Sequence, residues 1–234
     1  MKTKRYTNQD CQDARGVVVV IDVLRAFSTD AYAFAAGARQ IILVSTVDEA
    51  LALKREMPEA HLMGELNRYP IDEFEFGNSP SQIASLDLSG AVLIHRSSAG
   101  TQGVVRSVQA ESLLAASFCC ARATAAFIQQ SSPRLISFVI SGVEPDGRGD
   151  EDLACSEYIE ALLAHTQADP APFIKRVIES INGDLFRGQD QFAFPTSDLD
   201  YCTAVDRFDF AMPVKRENGR CIMQPIPKPG QSAV

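Results

Sequence analysis

Apolar residues fall in short, evenly spaced runs, and the segments between them carry helical periodicity. Gly16 to Ile21 is an almost purely β-branched run, the mark of a strand buried on both faces. This strand, over 17–21, leads into a helix over 26–36 that stops at Gly37, a residue suited to a left-handed C-cap. Strands follow over 41–44 and 61–63, with a helix over 47–57 between them. Ser45 or Thr46 can cap that helix, Asp48 and Glu49 sit in its first turn, and Pro58 ends it. A loop rich in Pro, Asn and Asp runs from Asn67 to about Pro80.

The alternation continues with strands over 91–95, 113–116 and 135–140. They are separated by helices through about Gln109 and over 122–130, and a helix over 151–164 follows. Repeated βα units of this kind imply an α/β fold of three layers, α/β/α, around a mostly parallel sheet. The last third differs. A helix is expected over 170–181 and a short turn or helix over 183–188. Two strands, 207–214 and 221–224, flank Asn218-Gly219, a strong hairpin signal. This antiparallel pair is expected at the sheet edge, making the sheet mixed, and the Pro-rich tail over 225–234 reads as extended. No linker or repeat divides the chain, so residues 1–234 read as one domain with its core roughly over 16–215.

Composition narrows the class. The 234 residues are 46% hydrophobic and 22% charged, with a formal net charge of −8. Such a chain has no broad attraction for nucleic acid or anionic membranes. The six cysteines form no CxxC pair, which argues for free thiols rather than a disulfide framework or zinc ribbon. No apolar leader follows the basic start, so a cytoplasmic location is the default expectation. The three histidines are scattered and form no HExxH motif, and no G-x-S-x-G elbow or Walker A loop is present. The sequence sets no oligomeric state and leaves a homodimer open.

Candidate chemistry sits where apolar runs end. Asp22 closes the first strand, at the place where open α/β sheets bind ligands. It is read as a Mg²⁺ ligand or a nucleophile, against the plainer role of capping the next helix. Arg25 lies in the first turn of that helix, where a cation is unfavourable unless an anion is near. It can grip an anionic group, or pair internally with Asp22 or Asp30. The segment Arg96-Ser97-Ser98-Ala99-Gly100-Thr101 follows a strand and opens a helix, a pattern that cradles anions with backbone N–H groups and hydroxyls. A simple capped helix is the plainer reading. Gly64-Glu65 again places an acid after a strand, and Asn78 or Ser79 caps a helix that begins at Pro80. Asp146, Asp150, Glu151 and Asp152 form the densest acidic group, with Arg148 among them. A Mg²⁺ ion held by Asp22, Glu65 and Asp150 or Asp152 suits this distribution, provided the strand ends converge.

These blocks, in this order, resemble the 2-phosphosulfolactate phosphatase family. The resemblance rests on Val20-Ile21-Asp22-Val23-Leu24-Arg25-Ala26, Gly64-Glu65, Phe76-Gly77-Asn78-Ser79-Pro80, the loop from Ser97 to Gly103, and Gly149-Asp150-Glu151-Asp152-Leu153-Ala154-Cys155. It covers roughly residues 16–215. The likeness implies Mg²⁺-dependent hydrolysis of a phosphate ester on sulfonated lactate, giving sulfolactate and phosphate on a route toward coenzyme M. The implied partner is a small anionic phosphorylated substrate. Metal contact falls to Asp22, Glu65, Asp150 and Asp152, and substrate or phosphate contact to Asn78, Ser79, Ser97, Ser98, Gly100 and Thr101. Arg25, Arg96 and Arg148 would face the sulfonate or carboxylate. The loop after His95 departs from the expected Thr-Thr-Asn-Gly-Thr-like stretch, and that bears on substrate identity more than on reaction class.

Overall fold

The computed structural model describes residues 1–144, 146–164 and 167–227. His165 and the tail from Lys228 lie outside the described residues. In chain order, β1 (Lys2–Thr7), β2 (Gly16–Ile21), α1 (Ala26–Ala35), β3 (Gln40–Val44), α2 (Val47–Glu56), β4 (His61–Leu66) and β5 (Tyr69–Pro70) come first. Next are α3 (Pro80–Ile83), β6 (Val92–Arg96), α4 (Gly100–Arg106), β7 (Ala110–Ala116), α5 (Ala121–Ser131) and β8 (Leu135–Ile140). The chain continues with α6 (Asp150–Ala164), α7 (Ala171–Glu179), α8 (Ile181–Leu185), α9 (Thr196–Cys202), β9 (Phe210–Glu217), β10 (Arg220–Met223) and β11 (Ile226–Pro227).

The strands form one mixed sheet in the order β1-β8-β2-β7-β9-β10-β3-β6-β4-β5. Within it, β1-β8-β2-β7 is a parallel quartet and β3-β6-β4 a parallel trio. The fold is α/β, as the alternating pattern implies. Successive residues of β2 face opposite layers: Val18 and Val20 join one core, Val17, Val19 and Ile21 another. The first of these cores runs under both parallel groups, reaching Ile41, Leu93 and Met63. On the other face α5 and α6 cover the quartet, while Ala50 and Leu53 of α2 pack on the trio.

The C-terminal hairpin corrects the expected arrangement. It borders each parallel group but lies at the centre of the whole sheet, with β9 antiparallel to β7 and β10 antiparallel to β3. Two parallel groups otherwise expose two edges of unpaired backbone, and one buried hairpin closes both. Its residues suit that place, since Ala211 to Val214, Cys221 and Met223 are buried. The sheet's own edges are β5 and β1, and β1 was not anticipated. Its Lys2, Lys4 and Arg5 are exposed, the charge pattern that protects an edge from further pairing. The turn is at Asn218-Gly219 as expected, with both φ values positive, 51° and 77°. α9 also went unforeseen, and the expected 170–181 helix breaks at Ser180 into α7 and α8.

Three antiparallel steps separate β7 from β3, so the quartet and the trio run in opposite senses. A flat sheet would put their carboxyl ends on opposite edges. Those ends nonetheless meet around one pocket, which requires the strong twist and coil of a large sheet. Gly64 permits the approach on the trio side. It has φ 143°, and a Cβ there would lie 1.9 Å from the Arg96 carbonyl oxygen. No helix among the described residues is long and apolar enough to cross a membrane.

Candidate active site

The pocket has a volume of about 270 Å³ and gathers residues from five strand ends. Asn8 and Gln9 follow β1, Asp22 follows β2, Glu65 lies in β4, Ser98 and Ala99 follow β6, and Ser141 follows β8. Glu151 and Asp152 enter from the first turn of α6. Four buried carboxylates, Asp22, Glu65, Glu151 and Asp152, therefore share one small cavity with the exposed Glu144, and the distant acids do converge. They are not equivalent.

Asp22 is 6% exposed and does cap α1: its Oδ1 accepts the Ala26 N–H at 3.0 Å. Its Oδ2 takes no hydrogen bond from the described residues. Gly100 packs directly on that oxygen, and a Cβ at Gly100 would stand 2.8 Å from it. Burial is the main cause that raises the Asp22 carboxyl from 3.8 to about 6. The Ala26 N–H works against this, and the nearby Glu65 and Glu151 charges add to it. Glu151 shows the same pattern. Its Oε1 accepts from the Asn182 amide at 2.6 Å, while its buried Oε2 has no partner. Burial again pushes the carboxyl up.

The other two acids have their lone pairs committed. Glu65 accepts the Ser98 N–H, the Ser98 hydroxyl at 3.0 Å and the Arg68 N–H at 2.5 Å. Asp152 accepts the Val23 N–H at 2.8 Å, the Gly142 N–H at 2.9 Å and the Ser141 hydroxyl at 3.3 Å. Both act as clips that hold pocket loops together. Burial, with Glu151 and Asp22 nearby, still raises Asp152 well above the usual carboxylate range.

Several residues assigned from the sequence take other positions. Asp150 faces away from the pocket and is paired with Arg176, which also binds Glu157. The inward acids of that turn are Asp152 and Glu151, and Glu151 was not assigned a role from the sequence. A usable signal existed, because the buried stripe Cys155, Tyr158, Ile159 and Leu162 extrapolates at helical spacing to 151 and 152. Arg148 is held by Glu144 and Asp146 in its own loop at 3.2 Å each and is absent from the lining. Arg96 donates to the Glu65 carbonyl at 2.6 Å and the Ser98 hydroxyl at 2.9 Å, so it braces the loop from behind. Ser97 and Thr101 are buried, and their hydroxyls bind each other's backbone N–H groups at 3.0 and 2.9 Å. They shape the loop, and Ser98 and Ala99 face the cavity.

Arg25 lines the pocket as expected, fixed in a way the sequence did not reveal. Its Nη1 donates to Asp198 at 2.6 Å, and its guanidinium lies 5.2 and 5.4 Å from the ring centres of Phe186 and Phe194. Ser79 stands at the N-cap position of α3 as expected, without a side-chain capping bond: its hydroxyl donates to Asp198 at 2.8 Å, as do the Ser81 N–H and hydroxyl. Asn78 is in the lining with its buried Oδ1 unpartnered. Arg68 is a second pocket cation that the sequence reading did not name.

Among the described residues, no three His, Cys, Asp or Glu side chains form a ready-made metal cage. That disfavours a closed zinc-type site, which takes four protein ligands. Mg²⁺ needs only one or two carboxylates and keeps several waters. Asp22 and Glu151, each with an uncommitted oxygen, fit that smaller demand.

A doubly covered sheet with a small acid-lined pocket where its strands end is an enzyme's architecture, scaled to a small substrate. Comparison with known proteins makes the class specific. Residues 2–217 match the family model described as 2-phosphosulpholactate phosphatase. A Bacillus subtilis protein is 34% identical over 200 residues, covering 85% of this chain and 87% of its own length. One from Carboxydothermus hydrogenoformans is 31% identical over 218 residues, covering 88% and 90%. Both are named probable 2-phosphosulfolactate phosphatase. The chain belongs to the 2-phosphosulpholactate phosphatase family and thus to the phosphoric monoester hydrolases.

Proposed function

We propose that this chain hydrolyses 2-phosphosulfolactate to sulfolactate and phosphate with Mg²⁺ as cofactor, in the cytoplasm and on a route toward coenzyme M. The observation that carries most weight is the pair of uncommitted carboxylate oxygens, Asp22 Oδ2 and Glu151 Oε2, in a pocket that also holds Arg25. These two acids would hold the ion, in place of the wider set Asp22, Glu65, Asp150 and Asp152. Once bound, the ion supplies neutralisation of phosphoryl charge and polarisation of a phosphoryl oxygen.

The chain's own groups orient the substrate and exclude alternatives. Asp22 is the catalytic carboxylate and acts ionised; burial alone favours its protonated form, and a cation held beside it would favour the ionised one. Its bond to the Ala26 N–H fixes one oxygen and leaves the other for the reaction centre. Ser98 and Ala99 flank the phosphoryl group. Arg25 cannot swing away, being held by Asp198 and two aromatic rings, so it offers its remaining donors to an acidic group of the substrate in a set direction. Pre-positioned charge of this kind is the main catalytic resource in phosphoryl transfer.

Colorimetric phosphate release with and without Mg²⁺ tests this reading on 2-phosphosulfolactate, phospholactate and phosphoglycolate. The expected result is release from the sulfonated ester that stops on chelation. Release from the other two esters alone would reject the named substrate, and background release throughout would reject hydrolysis.

A further inference from the structure

Among the described residues, two tight hairpin turns have nearly the same backbone. At Asn218-Gly219 the φ values are 51° and 77°, and at Asn67-Arg68 they are 53° and 75°. Each turn joins strands paired directly across it, Glu217 with Arg220 and Leu66 with Tyr69. Two-residue loops with positive φ at both positions favour Asn-Gly, because a side chain at the second position meets its own backbone. The distant turn obeys that preference. The turn at the pocket carries an arginine instead, and unfavourable backbone kept beside a cavity points to a use for the side chain.

The surroundings are consistent with such a use. The turn is fastened to the site, since the Arg68 N–H donates to Glu65 and the Asn67 N–H donates to the Ser98 hydroxyl at 2.8 Å. Arg68 lines the main pocket and also a second, adjoining cavity. Arg25, Glu65 and Asn78 are shared between the same two cavities, so this group forms the wall between them. Arg25 and Arg68 are the cations of the main lining. The charge of Arg25 is already matched by Asp198 at 2.6 Å. Among the described residues the Arg68 guanidinium has only a 3.5 Å contact with Glu144, which is half exposed and is also held by Arg148 at 3.2 Å. A pair so long and wet is worth little and is easily exchanged.

We infer that Arg68 is a specificity-determining residue that leaves Glu144 to bind the second anionic group, sulfonate or carboxylate, of a phosphorylated acid whose phosphate lies at Asp22. This deepens the proposed function and rests on it. A substrate with several negative charges entering a pocket of carboxylates requires a cation that is not already neutralised, and Arg68 meets that requirement. Its planar donors match a sulfonate or carboxylate.

Arg68→Gly provides the test, because glycine relieves the backbone and removes the cation together. Calorimetry with sulfolactate, and separately with inorganic phosphate, is run on the wild type and the variant with Mg²⁺ present. The variant should melt higher than the wild type, a sign that the turn is intact. Its sulfolactate affinity should fall about 10- to 100-fold, the loss of one charge-assisted contact, with phosphate affinity unchanged. Arg68→Lys should recover part of the loss. Unchanged sulfolactate affinity in Arg68→Gly, equal loss for both ligands, or no sulfolactate binding by the wild type would each overturn the inference. Arg68-dependent sulfolactate binding without turnover of 2-phosphosulfolactate would instead count against the hydrolytic reading alone.

Discussion

Asp198 and Asp22 are both buried aspartates near the pocket, and the fold treats them in opposite ways. Asp198 is fully buried and receives the Arg25 guanidinium, the Ser79 and Ser81 hydroxyls and the Ser81 N–H. Its charge is cancelled and its oxygens are occupied. Asp22 receives one backbone N–H, keeps one oxygen uncommitted and has further acids as neighbours. Burying a charge is tolerable when a counter-ion and donors accompany it, and costly when they do not. The satisfied acid builds the wall, and the unsatisfied one marks where a cation or a reacting group belongs.

Removing each acid should therefore act in opposite directions. The largest effect is expected from Asp198→Ala, which strands the Arg25 charge between two rings and should destabilise the protein by about 3–5 kcal/mol. Denaturant unfolding measures it, and a loss under 1 kcal/mol, of the size seen for exposed pairs, would mean the pair is not structural. Asp22→Asn should do the reverse while abolishing phosphate release. A carboxyl held at about 6 rather than 3.8 binds its proton more tightly in the folded state. Wild-type stability from this group is thus greatest at low pH and declines as pH rises from about 4 to 6. At neutral pH the cost is about 3 kcal/mol, which the asparagine variant would be spared. Unfolding curves at pH 4.5 and 7.5 should show the variant's advantage falling from about 3 kcal/mol at the higher pH to about 1 kcal/mol at the lower. The smallest effect belongs to Asp150→Asn, which weakens a partly exposed pair with Arg176. Its cost should stay within about 1 kcal/mol, with Mg²⁺-dependent turnover unchanged, whereas a large activity loss would return Asp150 to the site.

The same contrast explains what could be read from the sequence. The run from Gly16 to Ile21 declares a central strand because both of its faces are buried, and the acid that ends it falls at the pocket. Apolar density could not locate β1, whose side chains mostly face water, and its pairing with β8 is a contact between residues more than 130 positions apart. The central place of β9 and β10 was hidden for the same reason: pairing partners are long-range, while periodicity is local. Among Asp150, Glu151 and Asp152, composition gives three equivalent acids. Only helix phase, set by Cys155 and Tyr158, turns two of them inward. Asp198 left no signal, since its importance comes from Arg25, 173 residues away in sequence.

Thermal melting of the wild type and Asp22→Asn at pH 7.5, each with and without Mg²⁺, tests most directly whether the pocket holds uncompensated charge awaiting a cation. Without the ion the variant should melt higher; with it the wild type should gain most of that difference and the variant little. Equal melting temperatures without Mg²⁺, or the same Mg²⁺ shift in both proteins, would contradict it.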